Sequence, residues 1–220
     1  MEQEFWLERW RKGEIGFHQS DINPYLQRYW PQLQLAPGSR VFVPLCGKSL
    51  DMLWLYQLGH AVLGVELSPQ AVEGFFTDHA LAAQRRSHGH FTCWQHDDIQ
   101  LLCGDFFSLT AADLAGVTAV FDRAALIALP PPLRARYVEQ LRRILPPQAR
   151  ILLVTINYPQ HEMEGPPFAV PDEEVTALYG SWRTVMPLCC ADVLAEQPRF
   201  RERGLTRLQE SAWLLAPAQR

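Results

Sequence analysis

The chain has 220 residues and a formal net charge of −4 at pH 7; 48% of its residues are apolar and 20% charged. A chain this long buries roughly 70% of its unfolded surface, so its core needs no disulfide or metal staple, and its charge balance lacks the basic footprint of a nucleic-acid binder. Its cysteines, Cys46, Cys93, Cys103, Cys189 and Cys190, are odd in number and form no even framework, which predicts reduced thiols in the cytoplasm.

The start, Met1-Glu2-Gln3-Glu4, is acidic and no apolar h-region follows it. No run approaches the ~18 apolar residues of a membrane span. Residues 2–12 read as a short helix ended by Gly13, with Trp6 and Trp10 four apart on one face. Phe5, Phe17, Tyr25, Tyr29 and Trp30 add to an aromatic-rich opening, read as an arm over residues 1–39 that packs on the body formed by residues 40–220.

From residue 40 onward, β-branched runs alternate with amphipathic segments. Strands are expected at Arg40–Val43, Ala61–Glu66, Phe91–Trp94, Ile99–Cys103, Val117–Asp122 and Arg150–Ile156. Leu50–Leu58 reads as a helix stopped by Gly59. Ser68 is placed as an N-cap with Pro69 at the first helical position, opening a helix to about Ala82. His96-Asp97-Asp98 reads as a hairpin turn. Leu133–Leu145 carries apolar residues at helical spacing and ends at Pro146-Pro147.

Residues 157–171, rich in proline, read as an ordered loop, and Asp172–Tyr179 as a helix closed by Gly180. Two last strands, near 182–190 and 206–215, lack a helix-length linker and should pair antiparallel. Alternating strands and helices predict a Rossmann-like α/β fold: a mostly parallel, seven-stranded sheet with one antiparallel strand and helices on both faces. No repeat or linker divides the chain, so one domain is expected.

Ligands in open α/β sheets bind beyond the carboxyl ends of the strands, where the strand order reverses. Four such ends carry chemistry. Val41-Phe42-Val43-Pro44-Leu45-Cys46-Gly47-Lys48-Ser49 is a strand running into a glycine turn and then a helix, where backbone can approach a ligand. It lacks G-x-G-x-x-G, and the preceding glycine, Gly38, is too far back for a P-loop. Glu66 closes the next strand nineteen residues after Gly47, the spacing of an acid that accepts from ribose hydroxyls. A solvated or helix-capping Glu is the competing account. Asp105-Phe106 follows the strand at 99–103 and offers an acceptor for an adenine amino group beside a packing ring. Asp122-Arg123 sits at a strand tip, where a charged pair is costly unless used or satisfied; a plain salt bridge competes.

Several groups invite other readings. His88, His90, Cys93 and His96 are closely spaced, yet strand alternation sends Cys93 and His96 to opposite faces, and His88 and His90 read as a solvated loop, so no metal is expected. His161-Glu162-Met163-Glu164 is not H-E-x-x-H. Cys46 reads as packing rather than a nucleophile. Arg199, Arg201, Arg203 and Arg207 read as a solvated strand edge that discourages aggregation.

Together the segments resemble the thiopurine S-methyltransferase family, nearly end to end. The pattern W-x(3)-W-x(2)-G-x(3)-F-H-Q appears as Trp6, Trp10, Gly13, Phe17, His18 and Gln19. Val41–Lys48 matches the family's proline-bearing turn for S-adenosylmethionine (SAM). Gly59-His60, Gly64-Val65-Glu66, Asp122-Arg123-x-Ala125-Leu126, Gly165-Pro166-Pro167-Phe168 and Val170-Pro171 follow in order.

The resemblance implies SAM contacts at Trp10, Leu45, Glu66 and Arg123, joined by Gly47 of the turn. At the adenine loop, family members often carry a small polar residue where this chain has Asp105, with Phe106 beside it. It places Phe17, Arg123 and Arg199 near the substrate, a thiopurine or aromatic thiol and, in compact bacterial-type members, selenium or tellurium species. S-adenosyl-L-homocysteine is the expected product. We expect Arg123 to stabilise the anionic acceptor and to help fix the carboxylate end of SAM, Asp122 to hold Arg123, and the arm to close over both ligands. An arm-covered pocket needs no second subunit, so a monomer is expected. A nicotinamide-dependent oxidoreductase would use the same turn and ribose acid but is disfavoured by the missing G-x-G-x-x-G. A non-catalytic SAM-binding module would have no need of a closed substrate pocket, and the aromatic arm and Asp122-Arg123 argue for an enzyme.

Overall fold

A computed structural model describes residues 3–218. The helix read over residues 2–12 therefore starts at Glu2, outside the described residues; within them α1 spans Gln3–Lys12. The body is one nine-stranded sheet. In chain order its strands are β1 (Arg40–Pro44), β2 (Ala61–Glu66), β3 (Gln84–His88), β4 (Phe91–His96), β5 (Ile99–Cys103), β6 (Val117–Arg123), β7 (Arg150–Asn157), β8 (Arg183–Asp192) and β9 (Gln209–Pro217). Helices α2 (Pro24–Tyr29), α3 (Asp51–Gln57), α4 (Pro69–Asp78), α5 (Pro131–Ile144), α6 (Asp172–Tyr179) and α7 (Pro198–Glu202) complete the chain.

The spatial order is β3-β4-β5-β2-β1-β6-β7-β9-β8. The pairs β2–β5, β1–β2, β1–β6 and β6–β7 are parallel. β9 runs antiparallel to both β7 and β8, as the short linker required. The seven strands from β5 to β8 form the expected sheet with β9 as its reversed strand. A β3–β4 antiparallel extension adds two more beyond β5.

Strand β3 escaped the sequence reading because Gln-Arg-Arg-Ser-His has no apolar alternation and is almost wholly exposed. It is an edge strand, held by ladder hydrogen bonds rather than by burial. Its presence shortens α4, which stops at Asp78 instead of near Ala82. His88 thus belongs to a strand, not a solvated loop, and its Nε2 lies 2.7 Å from Asp113 Oδ1. The other helix ends follow the sequence cues: the Ser68 hydroxyl accepts from the Ala71 N–H, and Pro69 opens α4.

Each face of the sheet carries its own core. One, beneath α5 and α6, centres on Phe42, Val120, Leu153, Tyr137 and Trp213. The other, beneath α2, α3 and α4, centres on Val41, Phe121, Val154, Leu26 and Phe75. Strand alternation therefore sends neighbouring residues at the tip of β6 to opposite sides. Asp122 registers with Leu153 and Arg123 with Val154, so Asp122 joins the first face and Arg123 the second.

Asp122 is fully buried. It accepts from the Tyr137 hydroxyl at 2.6 Å and from the Leu126 N–H at 3.2 Å. Burial pushes its carboxyl up to about 6, against the pull of these donors. A folded-state value above the unfolded one stabilises the fold fully at low pH and loses that contribution as pH rises through about 6. Asp122→Asn removes the titration, so urea unfolding at pH 4 and pH 7 should show the variant gaining about 2 kcal/mol on the native chain between the two. A constant difference across that window would mean that Asp122 is charged in both states.

Candidate functional site

The parallel strands end on one side of the sheet, and their order reverses between β1 and β6. A cavity of about 900 Å³ opens there, the size of a pocket for a substantial small molecule. Its wall takes residues from the ends of β1, β2, β5, β6 and β7, from β9 and α7, and from α1 with the segment after it.

The turn after β1 is shaped by backbone. Leu45 and Gly47 both take positive φ, 46° and 53°, which is costly for leucine and free for glycine. This sends the Gly47 N–H to Glu66 Oε2 at 2.9 Å, while the Ser68 N–H donates to Oε1 at 2.8 Å. One carboxylate thereby joins the end of β2 to the turn after β1. A Cβ on Gly64 would lie 2.5 Å from Leu101 Cδ2 and 2.7 Å from Cys46 Sγ, so the bare backbone there lets the turn sit against β2. Burial raises the Glu66 carboxyl above the usual range, opposed by the N–H donors. Burial likewise drives the Cys46 thiol well up, consistent with packing rather than nucleophilic chemistry. Lys48 does not face a phosphate: its Nζ pairs with Asp78 Oδ2 at 2.7 Å.

The arm closes the cavity by direct contacts. A Cβ on Gly47 would meet the Trp10 ring at 3.2 Å, so the indole lies on the turn itself. Phe17 packs edge-to-face on Trp6 and Trp10, with centroids 5.6 and 5.5 Å away. Gln3 donates to Asp105 Oδ2 at 2.8 Å, and Asp105 Oδ1 accepts from the Phe107 N–H at 3.0 Å. The Asn23 side chain caps α2, and its backbone N–H donates to Asp51 Oδ1 at 2.8 Å. Arg199 Nη1 reaches the Gly16 carbonyl.

The sequence-derived residues Trp10, Phe17, Leu45, Gly47, Glu66, Asp105, Phe106, Arg123 and Arg199 all line this one cavity. Asp122 is the exception. It is not on the wall, and it makes no contact with Arg123 because adjacent strand residues point oppositely. The expected Asp122–Arg123 pair is therefore corrected to two independent groups. Among the described residues the Arg123 guanidinium makes no hydrogen bond or salt bridge. Burial lowers its affinity for a proton, with Asp51 and Glu210 the compensating charges around it. The basic run is also corrected: Arg199 and Arg203 lie on or beside α7 and line the cavity, not a strand edge.

The sequence reading missed Asp51, Ser49, Glu210 and Tyr137 as wall residues. Asp51 had a signal, an acid in the first turn of the helix after the glycine turn. Glu210 had none, since it lies in a strand whose register is set by tertiary pairing. The clamp at Glu66 is testable: Glu66→Gln keeps one acceptor oxygen but turns an NH2 toward one of two N–H donors. Urea unfolding at neutral pH should show a loss of about 1–3 kcal/mol. A loss below about 0.5 kcal/mol would mean that neither N–H depends on the carboxylate.

The sequence model of the family described as thiopurine S-methyltransferase matches residues 1–218. A thiopurine S-methyltransferase of Nitrosospira multiformis is 59% identical over 215 residues, covering 98% of each chain. Among solved structures, the fold is similar to that of a SAM-dependent methyltransferase from Geobacter sulfurreducens in complex with S-adenosyl-L-homocysteine. That match has a TM-score of 0.64 at 15% identity and covers 99% of both chains. A 1,6-didemethyltoxoflavin-N1-methyltransferase from Burkholderia thailandensis, with its substrate and S-adenosylhomocysteine bound, gives 0.64 at 14% identity over 97% of this chain and 87% of that one. At these identities the structures establish the shared fold, and the near-full-length sequence matches establish the family: the chain belongs to the thiopurine S-methyltransferase family.

Proposed function

We propose that this protein transfers the methyl group of SAM to the sulfur of a thiopurine or an aromatic or heterocyclic thiol, releasing S-adenosylhomocysteine. The observation that carries the reading is Arg123. It is a guanidinium without a hydrogen-bond or salt-bridge partner among the described residues, on the wall of a cavity roofed by the aromatic arm. A half-buried cation left in that state is stabilised when an anion or thione arrives beside it.

The donor set fits SAM. Glu66 keeps lone pairs free for ribose hydroxyls beyond its two N–H contacts, Asp105 can accept from an adenine amino group, and Phe106 supplies a flat apolar wall. Gly47, having no Cβ, lets the Trp10 ring lie directly on the turn and wall the cavity there. SAM supplies an electrophilic methyl on a sulfonium, so the protein's task is to hold a sulfur nucleophile in line with it.

Positioning of that kind supplies up to roughly 7–11 kcal/mol in well-oriented systems. Trp10, Phe17 and the arm exclude water from the reacting pair. Arg123 stabilises the anionic acceptor and fixes the carboxylate end of the cofactor, and Arg199 contributes a second cation from α7. Selenium and tellurium species, softer nucleophiles of the same group, extend the acceptor class. The wider reading is a single domain over residues 1–220 with residues 1–39 as its arm. It is a cytoplasmic monomer with no nucleic-acid or membrane partner. The net charge of −4 supports the lack of a nucleic-acid partner, and among the described residues no helix is long and apolar enough to cross a membrane.

Methyl-labelled SAM incubated with a mercaptopurine should give labelled S-methyl product above a no-enzyme control. SAM binding without turnover would move the acceptor to another class, and failure to bind SAM would overturn the roles given to Leu45, Glu66 and Arg123. Arg123→Ala should lower kcat/KM by about 100-fold while changing unfolding free energy by less than about 1 kcal/mol. Equal losses in turnover and in folding would reduce Arg123 to a structural group.

A further inference from the structure

Five carboxylates line the cavity: Glu4, Asp51, Glu66, Asp105 and Glu210. Four are already engaged. Glu4 pairs with Arg11. Asp51 accepts from the Asn23 N–H and the Ser49 hydroxyl. Glu66 holds two backbone N–H groups, and Asp105 holds the Phe107 N–H and Gln3. Glu210 differs. Among the described residues no backbone N–H donates to it, and its neighbours are the Tyr25 hydroxyl, Arg123, Arg199 and Glu196.

Its position is set by sheet register. Glu210 on β9 registers with Ile156 on β7, two residues beyond Val154, which registers with Arg123 on β6. Residues two apart on a strand share a face, so Glu210 and Arg123 project from the same side of the sheet. Four strand spacings separate β9 from β2, where Glu66 sits, a lateral distance of roughly 19 Å. Glu66 and Asp105 belong to the cofactor half of the cavity; Glu210 lies in the opposite half, with Arg123 between them.

We propose that Glu210 is the proton acceptor for the methyl acceptor's S–H or thione N–H, an inference that rests on the S-methyl transfer proposed above. As the acceptor's sulfur forms its bond to the methyl carbon, the sulfonium C–S bond breaks and its electron pair stays on the departing S-adenosylhomocysteine. The proton released by the acceptor passes to the Glu210 carboxylate and leaves to solvent after product departure. Arg123 and Arg199 offset the charges of Glu210 and of the developing thiolate.

Burial holds the Glu210 carboxyl above the usual range; Tyr25, Arg123 and Arg199 oppose this, and Glu196 reinforces it. That direction moves it toward neutral pH, where a general base is most effective. An already ionised thiolate has no proton to give, so the role of Glu210 should depend on the acidity of the acceptor.

The test uses the full chain with thiophenols graded from electron-poor, ionised at the assay pH, to electron-rich and un-ionised. The ratio of native to Glu210→Gln kcat/KM should rise by about 100-fold along the series, and Glu210→Asp should restore part of the loss. An independent readout needs no turnover. When an electron-rich thiophenol binds with S-adenosylhomocysteine in place, infrared difference spectra of the native chain should show a protonated-carboxyl band with no proton released to a pH indicator. Glu210→Gln should lack the band and bind the thiophenol with its S–H intact. Calorimetric affinity for S-adenosylhomocysteine, matched between native and variant chains, certifies the fold. A ratio that stays flat along the series, or a band that persists in the variant, would overturn the proton-acceptor role and leave S-methyl transfer standing. Failure of the native chain on every thiophenol and on mercaptopurine would overturn both.

Discussion

The site depends on one carboxylate. Glu66 takes a backbone N–H from each side, Gly47 at the end of β1 and Ser68 at the start of α4. It thereby fixes where two strand ends stop and where the turn between β1 and α3 runs. A buried carboxylate that lost these donors would carry a desolvation cost of several kcal/mol, so turn and strand end hold one another. The positive φ at Leu45 and the close packing at Gly64 follow from the same constraint, because the turn must lie against β2.

On this frame the arm adds the roof. Trp10 sits on Gly47, Phe17 on Trp10, Gln3 on Asp105, and Arg199 reaches the Gly16 carbonyl. These contacts are individually small and come from chain segments far apart in sequence, so the roof is formed cooperatively or not at all. Beneath it, Arg123, Arg199 and Arg203 meet a wall of carboxylates, and the low dielectric makes each pairing matter more than at the surface.

Alternation within one strand decides the chemistry at the tip of β6. In sequence, Asp122 and Arg123 look like an ion pair. In the sheet they face away from each other, one bonded to Tyr137 in the core under α5, the other facing the cavity. Asp122 thereby serves the packing of α5 rather than the ligand. Separation leaves Arg123 free of a partner that would otherwise neutralise it.

Much of this was legible in the chain itself. Alternating apolar runs, the Ser68-Pro69 start and the Gly47-to-Glu66 spacing are local signals, because period, caps and turns depend on near neighbours. They determined the α/β class, the order of most elements, and the cavity residues Leu45, Gly47, Glu66, Asp105, Phe106 and Arg123. Trp10, Phe17 and Arg199 were legible through the family pattern. What tertiary structure decided is what depends on partners distant in sequence. Strand β3 is held by its ladder to β4 and by pairings with distant residues, His88 with Asp113 and Arg85 with Glu73. The facing of Asp122 against Arg123 depends on β6 register, and the approach of Glu210 to the cavity depends on β9 pairing with β7. A strand's hydrogen bonds are made to another segment, and its own residues do not specify which segment that will be.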